Sequence, residues 1–412
     1  MLQHKVFLNQ MRAEEGKHLW SLSFIIKVAI MAESIDFSLA GGGLLSELMQ
    51  RLRLEDRTFV RALIFLIIAW LPLLIFSLVE GLAIGKTVRI PFLEDAGVYG
   101  RILIAIPVFI AAEIPIGRRT REVLRGFITS QLVCEQDIHI FNDAVGQAMR
   151  QKELVIPEII ILCGIYAVAS FSEPVALTEP VTTWYRVSGN ITPTGHYYAF
   201  VSLPIFQFLL IRWIWKLIIW TGLLWRISRM NLQLLPIHPD KMGGLGFLGL
   251  AQIPFGLIGF AGGAVISSHL ANGMMYRGAS FIASSGPIVA YVILVVLIIL
   301  APILVFTDRL IQLRAKGILT YGGVGEEYAR LFDQKWVKGV NPEDEIILGS
   351  SDIQSLADLR NSYDIVQNMS IIAADRKTIT VIVATTIIPM IPLFFVAFPF
   401  DEIIVKVLGI LR

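Results

Sequence analysis

The chain has 412 residues, of which 55% are hydrophobic and 17% are charged, and its formal net charge at pH 7 is +2. A typical soluble domain carries about 25% charged residues, so this composition indicates a membrane protein. The near-neutral charge argues against nucleic acid as a partner. Cys134 and Cys163 are the two cysteines. With no Cys/His cluster beside them, we expect no metal site and no cofactor.

Seven apolar runs are each long enough to cross a bilayer as a helix, since about 20 residues suffice. They cover approximately residues 62–84, 99–116, 155–171, 198–224, 247–270, 287–306 and 379–398. The sequence therefore predicts an all-α fold: a polytopic transmembrane helix bundle of about seven spans, with helical cytoplasmic segments.

Lysine and arginine concentrate before the first run and after the second, fourth and sixth runs. Because positive loops favour the cytoplasmic side, this pattern predicts a cytoplasmic N-terminus and an exterior C-terminus. The predicted parts, in chain order, are a cytoplasmic N-terminal arm (1–57), six spans (58–306) with a helical cytoplasmic insertion (117–152), a cytoplasmic helical segment (307–377), and a final span with a short exterior tail (378–412).

The fourth run carries Arg212 and Lys216 near its middle, where an unpaired cation costs roughly 2.5 to 3.5 kcal/mol on insertion scales. Four residues apart, they share one helical face. Glu80, Glu113 and Glu158 are the possible counter-ions, and Glu113 is the preferred partner of Arg212. The charges form either a structural ion pair or part of a water-filled path, and the polar stripe favours the path. The predicted intramembrane path comprises Arg212, Lys216, Gln207, Glu113, Glu80, Glu158 and Gln252.

A His-Pro-Asp motif follows the fourth run and leads into several glycines, and its members are His238, Pro239, Asp240, Gly243, Gly244 and Gly246. A His beside an Asp can transfer a proton, or the motif can simply form a rigid turn. The spacing of the glycines also matches that of a dinucleotide-binding fingerprint, but no predicted strand precedes them. Exposed amides at a helix start would instead bind a phosphate or a lipid headgroup.

The fifth run has a face of small residues, formed by Gly249, Gly256, Gly259 and Gly263. Small residues let helices approach closely in lipid, so this face predicts helix packing, within one chain or between the subunits of a homo-oligomer. A pore lining beside Gln252 is the alternative.

Three strings of the sequence resemble an uncharacterised family of bacterial multi-pass inner-membrane proteins. They are HPDKMGGLGFLG, SDIQSLADL and WIWKLIIWTGLLWRISR. The resemblance implies a location in the bacterial inner membrane and a topology, and it supplies no catalytic residue.

Three functions stay open. A channel or transporter subunit for ions or small anionic or zwitterionic solutes follows from the intramembrane cations. A membrane-anchored sensor or scaffold would bind a soluble cytoplasmic partner through the segments outside the bilayer. A membrane-embedded enzyme acting on lipid would use His238, Asp240 and Glu158 on the cytoplasmic side.

Overall fold

The computed structural model describes residues 35–54, 57–171, 181–339 and 351–397. The outer parts of the predicted N-terminal arm (1–34) and the exterior tail (398–412) lie outside these residues. Within them the fold is all-α, and seven helices are long and apolar enough to cross a bilayer. The chain is therefore a multi-pass integral membrane protein, and the all-α prediction is confirmed.

Seven helical stretches form the spans: Thr58–Val79, Ala96–Thr129, Glu135–Ser170, Pro193–Ser228, Phe247–Arg277, Phe281–Leu304 and Arg376–Ala397. We label the helices in chain order. They are α1 (Gly43–Arg51), α2 (Thr58–Val79), α3 (Ala96–Thr129), α4 (Ile138–Glu153), α5 (Ile156–Phe171), α6 (Pro193–Ser228), α7 (Phe247–Arg277), α8 (Phe281–Leu304), α9 (Thr307–Phe332), α10 (Ser351–Gln367) and α11 (Arg376–Ala397).

Several spans are longer than the hydrocarbon core requires. At 1.5 Å per residue, the 36-residue α6 is about 54 Å long, whereas the core of a bilayer is about 30 Å thick. Helix α3 likewise continues beyond its apolar part to Thr129, which gives the helical start expected of the insertion 117–152. We call the two ends of the bundle the Arg61 end and the Glu80 end, after residues at the start and just past the end of α2.

The third span is helical on both sides of a single break. Helix α4 ends at Glu153, Leu154 is extended, and α5 begins at Ile156. Proline at position 157 is tolerated there, since the first turn of a helix has no internal acceptor for its backbone N–H. Both α4 and α5 pack against α6, on the two sides of this break.

At the Glu80 end, a buried polar node ties the connections to the spans. Asp95 accepts hydrogen bonds from Trp184 Nε1 (2.8 Å), from Asn272 Nδ2 (2.7 Å) and from the backbone N–H of Gly97 (2.8 Å). The rings of Phe92 and Tyr198 pack on Trp184. A two-stranded hairpin, β1 (Arg186–Val187) with β2 (Asn190–Ile191), lies beside this node and leads into α6.

At the Arg61 end, α9 and α10 form a helical hairpin. Gly317 on α9 lies against Val366 on α10, and a side chain there would collide with it. Asp352, in the first turn of α10, accepts hydrogen bonds from Lys335 Nζ (2.8 Å) and Trp336 Nε1 (3.0 Å). These bonds lower the pKa of the Asp352 carboxyl below its usual value.

Candidate functional site

Two buried cations lie on one face of α6. The helix begins at Pro193 with Thr192 as its N-cap, whose hydroxyl accepts from the N–H of Gly195 at 2.9 Å. About five turns later, Arg212 and Lys216 point inward, and each is only 2% exposed. A buried cation must be paired or hydrogen-bonded, so the surrounding elements have to supply acceptors.

Glutamates from two other spans supply the charged acceptors. Arg212 Nη1 donates to Glu113 Oε1 on α3 at 2.7 Å, and Arg212 Nε donates to Glu158 Oε1 on α5 at 2.7 Å. Lys216 Nζ lies 3.7 Å from the same oxygen of Glu113. The ion pair expected between Arg212 and Glu113 is therefore present, and Glu158 completes a bridge across three spans.

A third cation, Arg61 on α2, joins this group by a hydrogen bond from its guanidinium to Glu113 Oε2. Sequence reasoning missed Arg61 because the first apolar run was placed at 62–84, which left this residue just outside it. Its position in the sequence could have indicated the role. Arg61 directly precedes the apolar run, as the fourth residue of α2, and a cation so close to the bilayer core needs a partner. We call Arg61, Glu113, Glu158, Arg212 and Lys216 the charge cluster.

Residues 38–45, here called the glycine loop, close the charge cluster with backbone atoms. Lys216 Nζ donates to the carbonyl of Ala40, and Arg212 Nη2 donates to the carbonyl of Gly42 at 3.2 Å. The N–H of Leu45 donates in turn to Glu158 Oε2 at 3.0 Å. Gly42 and Gly43 have φ of 92° and 81°, which side chains rarely adopt, so glycine is required for this close approach.

The residues around the glycine loop hold it in place. Phe37 stacks on Trp220 of α6, with ring centroids 6.3 Å apart. The N–H of Leu39 donates to Thr120 Oγ1 at 3.4 Å. Part of the segment expected to be a cytoplasmic arm therefore packs against α3, α5 and α6.

The charge cluster lies near the Arg61 end of the bundle. Arg61 is in the first turn of α2, and Glu158 is in the first turn of α5. Arg212 was expected near mid-depth because it lies in the middle of an apolar run. That depth stays a prediction: Arg212 lies near the middle of α6 (Pro193–Ser228), whereas its partners reach it from the first turn of α5 and the middle of α3.

Among the described residues, the charge cluster contains three cations and two carboxylates, a formal charge of +1. At Arg212 and Lys216, two of the acceptors are neutral backbone carbonyls rather than carboxylates.

Three other residues expected along the polar path are not members of the charge cluster. Glu80 lies at the opposite end, where its Oε1 accepts from the N–H of Thr194 at 3.1 Å. Gln207 is half-buried on α6, between the two ends. Gln252 on α7 is fully buried, and neither atom of its amide group has a hydrogen-bond partner in the described part of the chain.

The His-Pro-Asp motif forms a turn centred on Asp240. Its carboxylate accepts from the N–H groups of Met242 (2.8 Å), Gly244 (3.2 Å) and Gly246 (2.9 Å). The ring of His238, which is partly exposed, lies 2.8 Å from the same carboxylate. The amides that could have bound a phosphate are therefore occupied by the chain's own carboxylate.

No contact joins this turn to the charge cluster among the residues described. Glu158 contacts Arg212 and the glycine loop, whereas His238 and Asp240 contact each other and their own loop. The three residues named for lipid chemistry thus fall into two separate sites. The described residues also contain no group of three or more His, Cys, Asp or Glu side chains that could hold a metal ion.

The glycine face of α7 lies against the last span. Gly256 faces Thr385 of α11, with 3.4 Å between the position of an added Cβ and the threonine Cβ. Gly263 faces the backbone of Thr386 and the ring of Pro389. Gly249 lies against the turn before α11, at Ala373 and Ala374. Gly259 touches both Thr386 and Val295 of α8.

No family model, curated protein or solved structure matches this chain.

Proposed function

We propose that this membrane protein carries small anions across a bilayer and that the charge cluster is their binding site. The observation that carries the proposal is that two backbone carbonyls of the glycine loop accept hydrogen bonds from the buried cations Arg212 and Lys216, in positions that an anion could occupy. An anion is a stronger acceptor for Arg212 and Lys216 than a neutral carbonyl. It can therefore replace the loop at these donors.

In this proposal the glycine loop is the gate. Its carbonyls cover Lys216 and Arg212 when no anion is bound, and it has to leave them before an anion can bind. We also propose that the Arg61 end faces the cytoplasm of a bacterium and that the chain resides in the inner membrane. The distribution of basic residues and the family resemblance support this orientation and location.

The direct test is anion flux from purified protein in liposomes, starting with chloride, nitrate and phosphate. Lys216→Met removes one of the two cations proposed to bind the anion and leaves the contacts of Arg61 and Arg212 with Glu113 and of Arg212 with Glu158 in place. Lys316→Met, on the exposed surface of α9, is the matched control. We expect flux from wild type and Lys316→Met and a loss of at least ten-fold in Lys216→Met. Equal flux in all three proteins, or no flux from folded wild type, contradicts the proposal.

The gate has its own test. The position of an added Cβ on Gly117 is 3.0 Å from the Cβ of Ala40, slightly less than the separation of about 3.5–4.5 Å in a disulfide, and it would collide with Ser38 Oγ, so the cysteine variant also carries Ser38→Ala to make room. Ala40→Cys with Gly117→Cys, in a background with Cys134→Ser and Cys163→Ser, should tie the loop to α3. We expect oxidation to stop flux and reduction to restore it. Unchanged flux after oxidation, with the disulfide verified by mass spectrometry, would rule out the loop as the gate.

A second candidate function rests on the α9–α10 hairpin. Outside the spans it leaves large apolar side chains in contact with solvent, including Leu319 (79% exposed) and Val337 (71% exposed). Exposed apolar residues of this kind favour binding of a soluble partner. Site-specific photocrosslinking from position 319 in cells distinguishes this scaffold function, which predicts one defined crosslinked protein, from transport alone, which predicts none.

A further inference from the structure

A cavity of about 270 Å³ lies between three of the spans, α6, α7 and α8. Its walls are almost entirely apolar, and the side chains that matter here are Leu210 and Ile214 of α6, Val265 of α7, and Leu294 and Ile298 of α8. Unlike the charge cluster, this cavity has no charged side chain in its walls.

One wall of the cavity is a part of α7 that has no side chains. Gly259 and Gly262 of α7 line the cavity, and Tyr291 of α8 packs closely against Gly262. The hydroxyl of Tyr291 donates to the carbonyl of Gly259 at 2.8 Å. A Cβ on Gly262 would collide with that hydroxyl. The main polar group in the wall is therefore already bonded to the protein.

The mouth of the cavity opens sideways out of the bundle. Ile214, Leu294 and Ile298 line the cavity and are also 46%, 55% and 41% exposed. All three lie in apolar stretches of spans, where the surrounding medium is hydrocarbon. Water is a poor occupant because it needs two to four polar partners. An empty cavity would forfeit the dispersion contacts of its walls.

We propose that this cavity binds one acyl chain of a bilayer phospholipid, which enters from the side between α6 and α8. An engineered apolar cavity of about 150 Å³ is known to accept a benzene molecule, so this larger cavity has room for a segment of an alkyl chain. The proposal does not depend on anion transport.

The test is photolabelling of the full chain in liposomes that contain a phosphatidylethanolamine with a diazirine on one acyl chain. After illumination, labelled peptides are mapped by mass spectrometry. We expect labels on the lining residues of α6, α7 and α8 at several times the level found on other lipid-facing residues, such as Ile75 and Leu78 of α2.

A filled cavity provides the decisive comparison. Val265→Phe places a ring in the space, and Val289→Phe adds the same volume at a lipid-facing position of α8 that does not line the cavity. We expect labelling of the lining residues to fall at least five-fold in Val265→Phe and to stay unchanged in Val289→Phe. Leu210→Phe fills the cavity from another wall if Val265→Phe fails to fold.

Four results would overturn the proposal. Labelling of the lining residues equal to that of other lipid-facing residues would identify only bulk lipid, and so would labelling that stays unchanged when the cavity is filled. Crosslinks between two copies of the chain at Ile214 and Leu294 would show that a second subunit covers the mouth. Labelling by a polyisoprenol probe but not by the phospholipid would assign the cavity to a different class of lipid.

Discussion

Arg212 Nε lies 2.7 Å from Glu158 Oε1, and this contact joins the interior of α6 to the first turn of α5. Both side chains are almost completely buried. Because Arg212 also bonds Glu113, one guanidinium fixes the relative positions of three spans, and it donates a further hydrogen bond to the carbonyl of Gly42 in the glycine loop.

This bridge predicts different costs for the two cations of α6. Arg212→Met leaves two buried carboxylates without their main partner, and breaking a buried pair in this way costs about 3–5 kcal/mol. Lys216→Met leaves Glu113 bonded to Arg61 and Arg212, so we expect a change within about 1 kcal/mol. Thermal unfolding in detergent should rank the variants accordingly. Equal losses of stability would show that Lys216, too, is needed for packing.

The three consecutive glycines of the loop are predicted to differ. Gly42 and Gly43 have positive φ, and an added Cβ would meet the backbone of Lys152 and the carboxylate of Glu158, respectively. Such backbone strain costs about 1–3 kcal/mol. Gly41→Ala is the matched control, because its nearest neighbour would be Lys152 Nζ at 3.9 Å. We expect Gly42→Ala and Gly43→Ala to lower the midpoint of thermal unfolding and Gly41→Ala to leave it unchanged. A similar shift for all three would mean that the loop is not held as described.

The glycine face of α7 also contains a sensitive and a tolerant position. A Cβ on Gly263 would lie 2.9 Å from the Pro389 ring and too close to the carbonyl of Thr386, and this overpacking costs about 1–3 kcal/mol. A Cβ on Gly256 would be in ordinary contact with Thr385 at 3.4 Å. Gly263→Ala should therefore destabilise the protein and Gly256→Ala should not, as measured by unfolding in a denaturing detergent. The reverse order would argue against this packing of α7 on α11.

The two polar members of the His-Pro-Asp motif should not be equivalent. Asp240→Ala removes the acceptor of three backbone amides, at a cost of about 1–3 kcal/mol for the groups left unbonded. His238→Ala removes a partly exposed ring and should change stability little. Hydrogen exchange of the amides of Met242, Gly244 and Gly246 should accelerate only in Asp240→Ala. Loss of anion flux in His238→Ala without any such change would instead indicate a proton-transfer role for the histidine.

Acid should loosen the α9–α10 hairpin. The bonds from Lys335 and Trp336 lower the pKa of Asp352 from its usual value of 3.8. The ionised carboxylate therefore stabilises the hairpin at any pH above the unfolded pKa, and this contribution is lost as the pH falls below about 4 through the folded pKa. Limited proteolysis between pH 7 and pH 3 should show cleavage of the hairpin rising at the acid end. Asp352→Asn should remove this dependence, and a wild-type profile in that variant would exclude Asp352 as its source.

Local pattern was sufficient for several features of this protein. Apolar runs of about 20 residues predicted the seven spans, because a bilayer admits few other structures. The four-residue spacing of Arg212 and Lys216 placed both on one face of α6, and the cost of burying a cation predicted an acidic partner. Glu113 could be nominated because it lies in a neighbouring span on the same side of the predicted topology.

Other features depend on where distant segments meet. Glu158 and Arg61 became members of the charge cluster through the packing of α5 and α2 on α6, which no spacing in the sequence encodes. The glycine loop looked like part of a soluble arm, and only the fold brought its carbonyls to Arg212 and Lys216. Carbonyl groups occur at every residue, so a sequence cannot mark which of them will bind a cation. The sequence thus determined the spans and the buried charges that need partners. The tertiary structure decided which side chains pair with these charges and which backbone carbonyls cover them.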